Sequence, residues 1–443
     1  MNQSQALDIL MCGYSIYLTG PAGSGKTFLL NKYIKYLRKH KVKVAITAST
    51  GIAATHLGGV TIHSWAGIGI KDSLSDKDLK EIVKKKHVKD RILKTRVLII
   101  DEISMLHDYQ LDMIDRVCRT IRQNPRPFGG LQLVLAGDLF QLPPVSHGSQ
   151  ETNFITESMV FKEMDLKICY LREQFRHGDK QLVKILKEIR SNNTSSESYQ
   201  FLLEKIKKKE NFSQSPTKLY THNCDVDLIN QQELEKLVGT AEEYIMKKEG
   251  VKQVVESLAK SCLAAETLVI KPGAVVMFLR NNFERGYVNG TLGEVAGFAE
   301  SGYPIVRTTE KKEIVASPES WVVEEDNKDI ARVTQVPLRL AWAITVHKSQ
   351  GMSLDLAEID LSKTFEKGMG YVALSRIRSL AGIDLRGIND LAFEVNDKVF
   401  KIDKNLKQLS KIAKAEITAL AKNDKKASQK EFLNKDQKKD TLF

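Results

Sequence analysis

The chain has 443 residues, of which 42% are hydrophobic and 28% are charged, and its formal net charge is +12. This balance is typical of a soluble globular protein with room for about three domains. No apolar run approaches the ~18 residues of a membrane span, and the first ten residues lack the features of a signal peptide, so we expect a cytoplasmic protein that does not contact a membrane.

The net charge suggests a type of binding partner, and the cysteines bear on metal sites and on the redox compartment. A basic surface suggests a polyanionic partner, although half of the excess lies in the last 47 residues, where 13 lysines face seven acids. A solvated lysine-rich helix explains that part about as well. The five cysteines form no C-x-x-C pair, which argues against a zinc or iron–sulfur site and is typical of a reducing compartment.

The first ~165 residues alternate between short apolar strands and amphipathic helices. Strands are predicted at Ser15–Thr19, Val42–Ala48, Val97–Ile100 and Leu131–Ala136, and a helix at Phe28–Lys39. Buried strands that alternate with helices indicate a parallel sheet covered on both faces.

A glycine-rich loop follows the first strand and opens the first of these helices. It fits the pattern G-x-x-x-x-G-K-[ST], in which backbone N–H groups wrap phosphate oxygens at a helix N-terminus. We expect Lys26 to reach the β- and γ-phosphates of ATP and Thr27 to place its hydroxyl on Mg²⁺. The residues of the loop are Gly20, Pro21, Ala22, Gly23, Ser24, Gly25, Lys26 and Thr27.

Two adjacent carboxylates end the third predicted strand. Asp101 is expected to hold the Mg²⁺ shell, and Glu102 to activate the attacking water as general base. A base at this position favours hydrolysis of ATP over phosphoryl transfer to a small molecule.

A polar turn, Gly137–Pro144, follows the fourth predicted strand. The amide of Gln141 has the donors and the acceptor needed to sense a γ-phosphate. Taken alone, this segment is better explained as a turn stiffened by prolines.

Four further segments are predicted in the rest of the chain. Residues 167–269 are charged and helical, and glycine-punctuated β-rich runs from residue 271 predict a small antiparallel barrel. The α/β pattern returns between Val336 and Leu385. A lysine-rich amphipathic helix and a polar tail follow, and the apolar positions of that helix are Val399, Ile402, Leu406, Leu409 and Ile412.

Two motifs lie far beyond the phosphate loop, at Ala341–Gly351 and Gly370–Arg376. Arg376 is a candidate for a cation that a second domain supplies to the transferring phosphoryl group, and Arg176 is another. A lone arginine is more often a surface residue, so these two gain meaning only from the order of the motifs.

In this order the motifs resemble those of superfamily I helicases of the petite-integration-frequency (Pif) family, in its bacterial short form. The resemblance covers about residues 1–390. Its most specific segments are Thr50–Ala54, Gly59–Ser64, Gly137–Pro144, Trp342–Gly351 and Tyr371–Arg376.

The resemblance implies an α/β fold with two RecA-like P-loop NTPase domains and a small SH3-like β-barrel inserted in the second. The first domain would span residues 1–165 and the second residues 166–270 and 336–390, with the barrel at 271–335 and a lysine-rich helix and flexible tail at 391–443. It also implies ATP between the two domains, 5′→3′ movement on single-stranded DNA and unwinding of tailed or forked duplexes in replication, repair or recombination.

The same resemblance assigns roles in the nucleotide site. Gln3 lies where the family reads adenine, with Gln5 as the alternative, and Gly351 falls in a nucleotide-binding motif. Positions of the family's catalytic and magnesium-binding residues are matched by Lys26, Thr27, Asp101, Glu102, Gln141, Arg176 and Arg376.

Residues in motifs that touch DNA are Ser49, Thr50, Gly51, His63, Ser64, Val145, Thr345, His347 and Lys348. Hydroxyls, backbone amides and imidazoles suit phosphate contacts without base readout. For both histidines the alternative is a buried structural role. Trp65, Phe140 and Trp342 are candidates for base stacking, although core packing is the better explanation for Trp342. By analogy, Val145–Glu151 and the barrel would steer or split the duplex.

The last seven residues, Gln437–Phe443, resemble peptides that bind bacterial sliding clamps, although chance explains most short tail motifs.

We expect a monomer associated with the bacterial nucleoid. An ATP-switched DNA clamp and a small-molecule phosphotransferase would use the same nucleotide site, and RecD-like helicases of the same polarity are the nearest alternative among helicases.

Overall fold

The structure, a computed structural model, describes residues 1–69, 71–144, 153–175, 178–208, 216–262, 264–280, 282, 284–287, 289, 291–308, 311–325 and 328–434. The chain divides into two compact units. The first comprises Met1–Thr50, Gly59–Arg176 and Asp397–Phe443, and the second Gly51–Gly58 and His177–Asn396.

Helices and strands are numbered separately in chain order. The helices are α1 (Gln3–Met11), α2 (Lys26–Lys39), α3 (Gly51–His56), α4 (Ile62–Ala66), α5 (Asp76–Lys84), α6 (Lys86–Lys94), α7 (Asp108–Arg122), α8 (Met159–Glu163), α9 (Lys180–Arg190), α10 (Ser196–Lys207), α11 (Asn223–Lys236), α12 (Lys252–Ser261), α13 (Met369–Leu374), α14 (Lys398–Ala419) and α15 (Lys422–Asn434). The strands are β1 (Ile16–Thr19), β2 (Val44–Ala48), β3 (Val60–Thr61), β4 (Val97–Asp101), β5 (Gln132–Gly137), β6 (Lys167–Tyr170), β7 (Thr217–Tyr220), β8 (Glu242–Ile245), β9 (Lys247–Gly250), β10 (Thr267–Ile270), β11 (Val275–Phe278), β12 (Leu292–Phe298), β13 (Pro304–Thr308), β14 (Glu313–Val315), β15 (Glu319–Glu325), β16 (Lys328–Gln335), β17 (Leu338–Leu340), β18 (Ala343–Thr345), β19 (Ala357–Leu361) and β20 (Ile383–Ile388).

The first unit is built on a six-stranded sheet in the order β3-β2-β4-β5-β1-β6, in which every pairing is parallel. Strands β1, β4 and β5 are buried along their whole length. The four strands predicted from the sequence are therefore confirmed, and their carboxyl ends meet at one edge of the sheet, where ligands of such folds bind.

The second unit contains a four-stranded parallel sheet in the order β18-β7-β19-β20. The expectation that residues 167–269 are helical is only partly right, because this region contains strands β6 to β10 besides helices α9 to α12. Of these strands, β7 is the second strand of the parallel sheet. Its four residues alternate between buried and half-buried positions and begin with Thr217 and Lys218, so the strand lacks the apolar run that reveals β1 in the sequence. An α/β fold with parallel sheets is nevertheless confirmed.

Antiparallel strands make up much of the rest of this second unit. They form a five-stranded sheet, β14-β13-β12-β11-β17, and two smaller sheets, β15-β16-β9 and β10-β8. An apolar cluster packs among these strands and includes Phe278, Tyr287 and Trp342. Core packing is therefore confirmed for Trp342, which is 7% exposed.

The C-terminal helices belong to the first unit. Helix α14 lies against β6, where the Tyr170 hydroxyl donates to Asp403 Oδ1 at 2.8 Å and the Tyr170 N–H donates to Ser410 Oγ at 3.1 Å. The predicted apolar stripe is partly wrong, because Leu409 and Ile412 are 40% and 56% exposed while Asp403 and Ser410 are buried. Hydrogen bonds to an edge strand thus replace part of the apolar contact.

Helix α15 also packs against the first unit. The ring of Phe432 is 6% exposed, and the Arg96 guanidinium lies 4.5 Å from its centroid. A Cβ at Gly13 would approach the ring to 2.5 Å, so the glycine leaves room for it. Among the described residues, no helix is both long and apolar enough to cross a membrane.

Replacing Phe432 with alanine should lower the free energy of unfolding by about 3 kcal/mol, because a buried ring and its cation–π contact with Arg96 are lost. Urea unfolding of the full chain, followed by circular dichroism, measures the change. The matched control is Ile412→Ala, which removes an exposed side chain from α14 and should change stability by less than about 0.5 kcal/mol. Equal stability of the two variants would contradict the packing described for α15.

Candidate active site

The phosphate loop lies between β1 and α2 at the carboxyl edge of the first sheet. Gly20, Gly23 and Gly25 have positive φ angles of 148°, 79° and 83°. A Cβ at Gly20 would lie 2.6 Å from the carbonyl oxygen of Leu171. The loop can therefore bend tightly only with glycine at these places, and it leads into the N-terminus of α2, the end of a helix that favours anions.

Lys26 and Ser24 face into this loop. The Lys26 ammonium donates to the carbonyl oxygens of Gly20 at 2.8 Å and Pro21 at 3.2 Å. The Ser24 hydroxyl is buried and has no hydrogen-bond partner among the residues that the structure describes. An unpaired buried hydroxyl costs about 1–3 kcal/mol, so its position fits a site that binds a ligand oxygen.

Asp101 and Glu102 follow one another at the end of β4. Burial, and secondarily the neighbouring Glu102 carboxylate, raises the pKa of Asp101 to about 7, although the Glu102 N–H and the Lys26 ammonium oppose the shift. The N–H of Glu102 donates to Asp101 Oδ1 at 2.9 Å. A buried carboxylate of this kind becomes favourable as an anion when a cation lies beside it.

The backbone of Glu102 is strained. Its φ and ψ angles are 50° and 43°, in the left-handed region that L-residues avoid. Such strain persists only where surrounding contacts hold it, and the Ser49 hydroxyl donates to the Glu102 carbonyl oxygen at 2.6 Å. The N–H of Ser49 also donates to the Asp101 carbonyl oxygen at 3.1 Å. Ser49, which the sequence assigned to DNA, therefore positions the carboxylate pair.

Strand β5 lies between β1 and β4 and brings the turn Gly137–Pro144 to the same edge. Gln141 is buried there, and its N–H donates to the Asp138 carbonyl oxygen at 2.9 Å. Phe140 is also buried, with its ring 5.5 Å from that of Phe400 on α14. Since Trp65 is buried as well, base stacking on Phe140 or Trp65 is not available in this conformation.

Gln3 and Gln5 have different surroundings. The Gln3 side-chain amide lies against the phosphate loop, with Nε2 3.5 Å from the Gly25 carbonyl oxygen. Gln5 instead completes a capping box with Asn2 and reaches Thr418 on α14. The geometry favours Gln3 as the glutamine of the nucleotide site.

His63 and Ser64 lie on the short helix α4. Burial lowers the pKa of His63, while a hydrogen bond with Gln110 raises it and the charge of His107 lowers it. A histidine with a lowered pKa is neutral at pH 7, so it offers phosphate a hydrogen bond and no net charge. The carbonyl oxygen of Ser64 accepts from Arg91 at 2.6 Å.

In the second unit, the motif at 341–351 contains β18 and continues beyond its carboxyl end. The Lys348 N–H donates to Thr345 Oγ1 at 3.2 Å. Burial lowers the pKa of Lys348 and the charge of Arg339 lowers it further, while Asp227 opposes this. Neither Arg339 nor Asp227 was singled out in the sequence, because no motif contains them. Gly351, with φ 81°, turns the chain after this motif.

Arg376 follows α13 and is 2% exposed. Its Nε donates to the Val372 carbonyl oxygen at 3.0 Å, and its Nη2 donates to Ser375 Oγ at 2.8 Å. The guanidinium is therefore oriented by its own helix rather than mobile on the surface. Arg176, Val145 and the peptide Gln437–Phe443 lie outside the described residues.

Thr50 ends the first unit, and Gly51 begins a short segment, including α3, that belongs to the second. The segment returns to the first unit at Gly59, where a Cβ would lie 2.1 Å from the Ile46 carbonyl oxygen on β2. The DNA-binding candidates Thr50 and Gly51 thus directly follow Ser49, which comes after β2 and whose hydroxyl bonds to the Glu102 backbone.

The described residues contain no group of three or more His, Cys, Asp or Glu side chains that could hold a metal ion. Thr27 at the start of α2 and Asp101 at the end of β4 are a candidate set of two oxygen ligands. Such a set suits Mg²⁺, which usually takes one or two carboxylates and completes its shell with phosphate oxygens and water.

Replacing Ser49 with alanine should lower kcat for ATP hydrolysis about tenfold with little change in KM, because Glu102 loses the hydrogen bond that holds its strained backbone. Steady-state ATPase measurements without DNA separate this effect from any contact of Ser49 with DNA. Ser49→Thr keeps the hydroxyl and should retain most of the activity. An unchanged kcat in Ser49→Ala would contradict the positioning role.

Comparisons with known proteins identify the family of the chain. The PIF1-like helicase family matches residues 4–207, and the 2B domain of DNA helicase Pif1 matches residues 253–298. The chain is 45% identical to the ATP-dependent DNA helicase Pif1 of Psychrobacter sp., over 93% of this chain and 71% of that protein. It spans 63% of the length of the Xenopus laevis helicase PIF1, to which it is 36% identical over 90% of its own length.

Two solved structures are also similar. Bacteroides sp. Pif1 in complex with ADP-AlF4 has a TM-score of 0.79 and 32% identity, covering 92% of this chain and 96% of that one. Bacteroides Pif1 bound to single-stranded DNA has a TM-score of 0.62 and 31% identity, covering 91% and 96%. The chain therefore belongs to the PIF1-like family of ATP-dependent DNA helicases.

Proposed function

We propose that this chain hydrolyses ATP to move 5′→3′ along single-stranded DNA and to unwind tailed or forked duplexes, with a role in replication, repair or recombination. One observation carries the proposal: the phosphate loop, the Asp101–Glu102 pair and Gln141 lie on neighbouring strand ends of one parallel sheet. A Bacteroides Pif1 structure contains single-stranded DNA, and another Pif1 structure concerns unwinding at forked DNA.

Lys26 and the loop N–H groups would bind the phosphates of ATP, and Ser24 would give its buried hydroxyl a partner. Thr27 and Asp101 would hold Mg²⁺, which neutralises phosphate charge when bound. Gln3 would contact the adenine. The unpaired Ser24 hydroxyl supports a phosphate contact in the loop. The raised pKa of Asp101 supports a cation beside it, since a bound cation stabilises the ionised carboxylate.

Glu102 would accept the proton of the attacking water as general base. Gln141 would orient this water and respond to the γ-phosphate. Arg376, already oriented by hydrogen bonds, and Arg176 would stabilise the charge of the transferring phosphoryl group. Gly351 would lie near the nucleotide.

DNA contacts would come from backbone amides and polar side chains that bind phosphates. In the first unit, the neutral imidazole of His63 would donate one hydrogen bond. The hydroxyl and the N–H of Ser49 already bond to the backbone of Glu102 and Asp101, so Ser49 would contribute by fixing the start of the DNA-binding motif. The other proposed DNA contacts are Thr50, Gly51, Ser64, Val145, Thr345, His347 and Lys348.

Within this proposal the two units are RecA-like, and the antiparallel strands include an SH3-like barrel near residues 271–335. The chain would act as a monomer at the bacterial nucleoid, with domain limits at residues 165, 270, 335 and 390. Binding of a sliding clamp by Gln437–Phe443 is the least supported part, and unchanged retention on a clamp column after removal of Leu442 and Phe443 would refute it.

Duplexes with a 5′ tail should be unwound and those with a 3′ tail should not. Glu102→Gln should bind ATP normally but hydrolyse it at least about a hundredfold more slowly, because the general base is lost. Glu81→Gln, an exposed carboxylate on α5 of the same unit, is the matched control and should behave as wild type.

Three results would contradict parts of this proposal. Normal turnover by Glu102→Gln would refute the base assignment, and preference for a 3′ tail would refute the polarity. DNA-stimulated hydrolysis without strand separation would instead favour an ATP-switched clamp.

A further inference from the structure

Three aromatic side chains of the second unit form a group that we call the ring cluster: His222, His347 and Phe365. The centroid of the Phe365 ring lies 5.1 Å from that of His222 and 6.2 Å from that of His347, and its plane is within 17° of the His347 plane. Phe365 is 55% exposed. The cluster therefore presents an aromatic surface to solvent.

The topology of the second sheet explains why these rings meet. His347 follows β18, His222 follows β7, and Phe365 follows β19. These three strands are adjacent and parallel, so the residues after them emerge at the same carboxyl edge. In the first unit, the corresponding edge carries the phosphate loop.

The loop that carries Phe365 is fixed by hydrogen bonds on both sides. The Asn389 side-chain amide donates to the Thr364 carbonyl oxygen at 2.8 Å, and the Thr364 N–H donates to the Leu361 carbonyl oxygen at 3.2 Å. On the other side, the Gly368 N–H donates to the Glu394 carbonyl oxygen at 2.8 Å. An exposed phenylalanine adds little to the stability of the fold. A ring on a preorganised loop, however, lowers the entropy cost of binding a flat partner.

Lysines and a cavity lie close to the ring cluster. Lys348 and Lys363 are close in the chain to the rings, and a carboxylate oxygen of Glu366 lies 3.8 Å from His347 Nε2. A cavity of about 210 Å³ opens at the same edge and is lined by Tyr220, Thr221, Leu228, Ile229, Asp360 and Lys363. Aromatic faces interleaved with lysines match the alternation of bases and phosphates in a single strand.

We propose that the ring cluster is a base-stacking site for single-stranded DNA, in which a nucleobase lies on the ring of Phe365 and the two histidines support it. This rests on the proposed function, and it adds Phe365 and His222, which no sequence motif assigned. It also gives His347 a stacking role besides a phosphate contact. Stacking on an aromatic ring tolerates every base, as a translocating protein requires.

The test compares two probes of equal length, oligothymidylate and the same strand with abasic sites in place of bases. Fluorescence anisotropy measures Kd for the wild type, Phe365→Ala and Phe365→Trp. Phe365→Ala should weaken oligothymidylate binding about tenfold, the effect expected for one stacked base, and leave abasic binding at the wild-type level. Phe365→Trp should keep wild-type affinity for both probes.

Ile412→Ala, an equally exposed apolar residue in the first unit, is the control and should bind both probes as the wild type does. The proposal is overturned if Phe365→Ala binds oligothymidylate normally, or if it loses affinity equally for both probes, since that pattern marks a phosphate or folding effect. Wild-type chain that binds single strands but fails to unwind any tailed duplex would refute the proposed function and leave the stacking test intact.

Discussion

The buried carboxylate of Asp101 is the constraint on which the phosphate-binding unit depends. Strand β4 is buried along its whole length and ends at this residue, so the carboxyl group lies where water cannot solvate its charge. Glu102 follows in a strained left-handed conformation, and Ser49 holds it there. Burial of the Asp101 carboxylate and backbone strain at Glu102 both lower the stability of the unit. Such costs are expected at a functional site.

Both units place functional residues by the same geometric rule. Parallel strands end together, so residues distant in the chain converge at one edge of a sheet. In the first unit this rule brings together the phosphate loop, Asp101 and Gln141. In the second it brings together the motif after β18 and the loops after β7 and β19. Ser49 then connects the end of β2 with the backbone of Asp101 and Glu102.

Local patterns allowed much of this arrangement to be predicted. The strands of the first sheet, the phosphate loop and the carboxylate pair are each specified by contiguous residues, and their positions were correct. Features that depend on tertiary contacts were missed. Strand β7 contains a lysine and a threonine and so lacks an apolar run. The buried face of α14 uses Asp403 and Ser410 because Tyr170 of β6 bonds to them. Phe365 could not be recognised either, since sequence alone does not reveal that its loop holds the ring outward.

The most direct test of this constraint is the stability of Asp101→Asn relative to wild type between pH 4 and 8, in EDTA and without nucleotide. Folding raises the pKa of the Asp101 carboxyl to about 7. Ionisation of this buried group therefore does not destabilise the folded state at a pH below the pKa of the unfolded chain. The destabilisation grows as the pH rises toward the folded pKa and is complete above it. The variant should therefore gain stability over wild type as the pH rises, by an amount on the order of 4 kcal/mol at pH 8. A difference that does not change with pH, or a wild type that is more stable at pH 8, would contradict the claim.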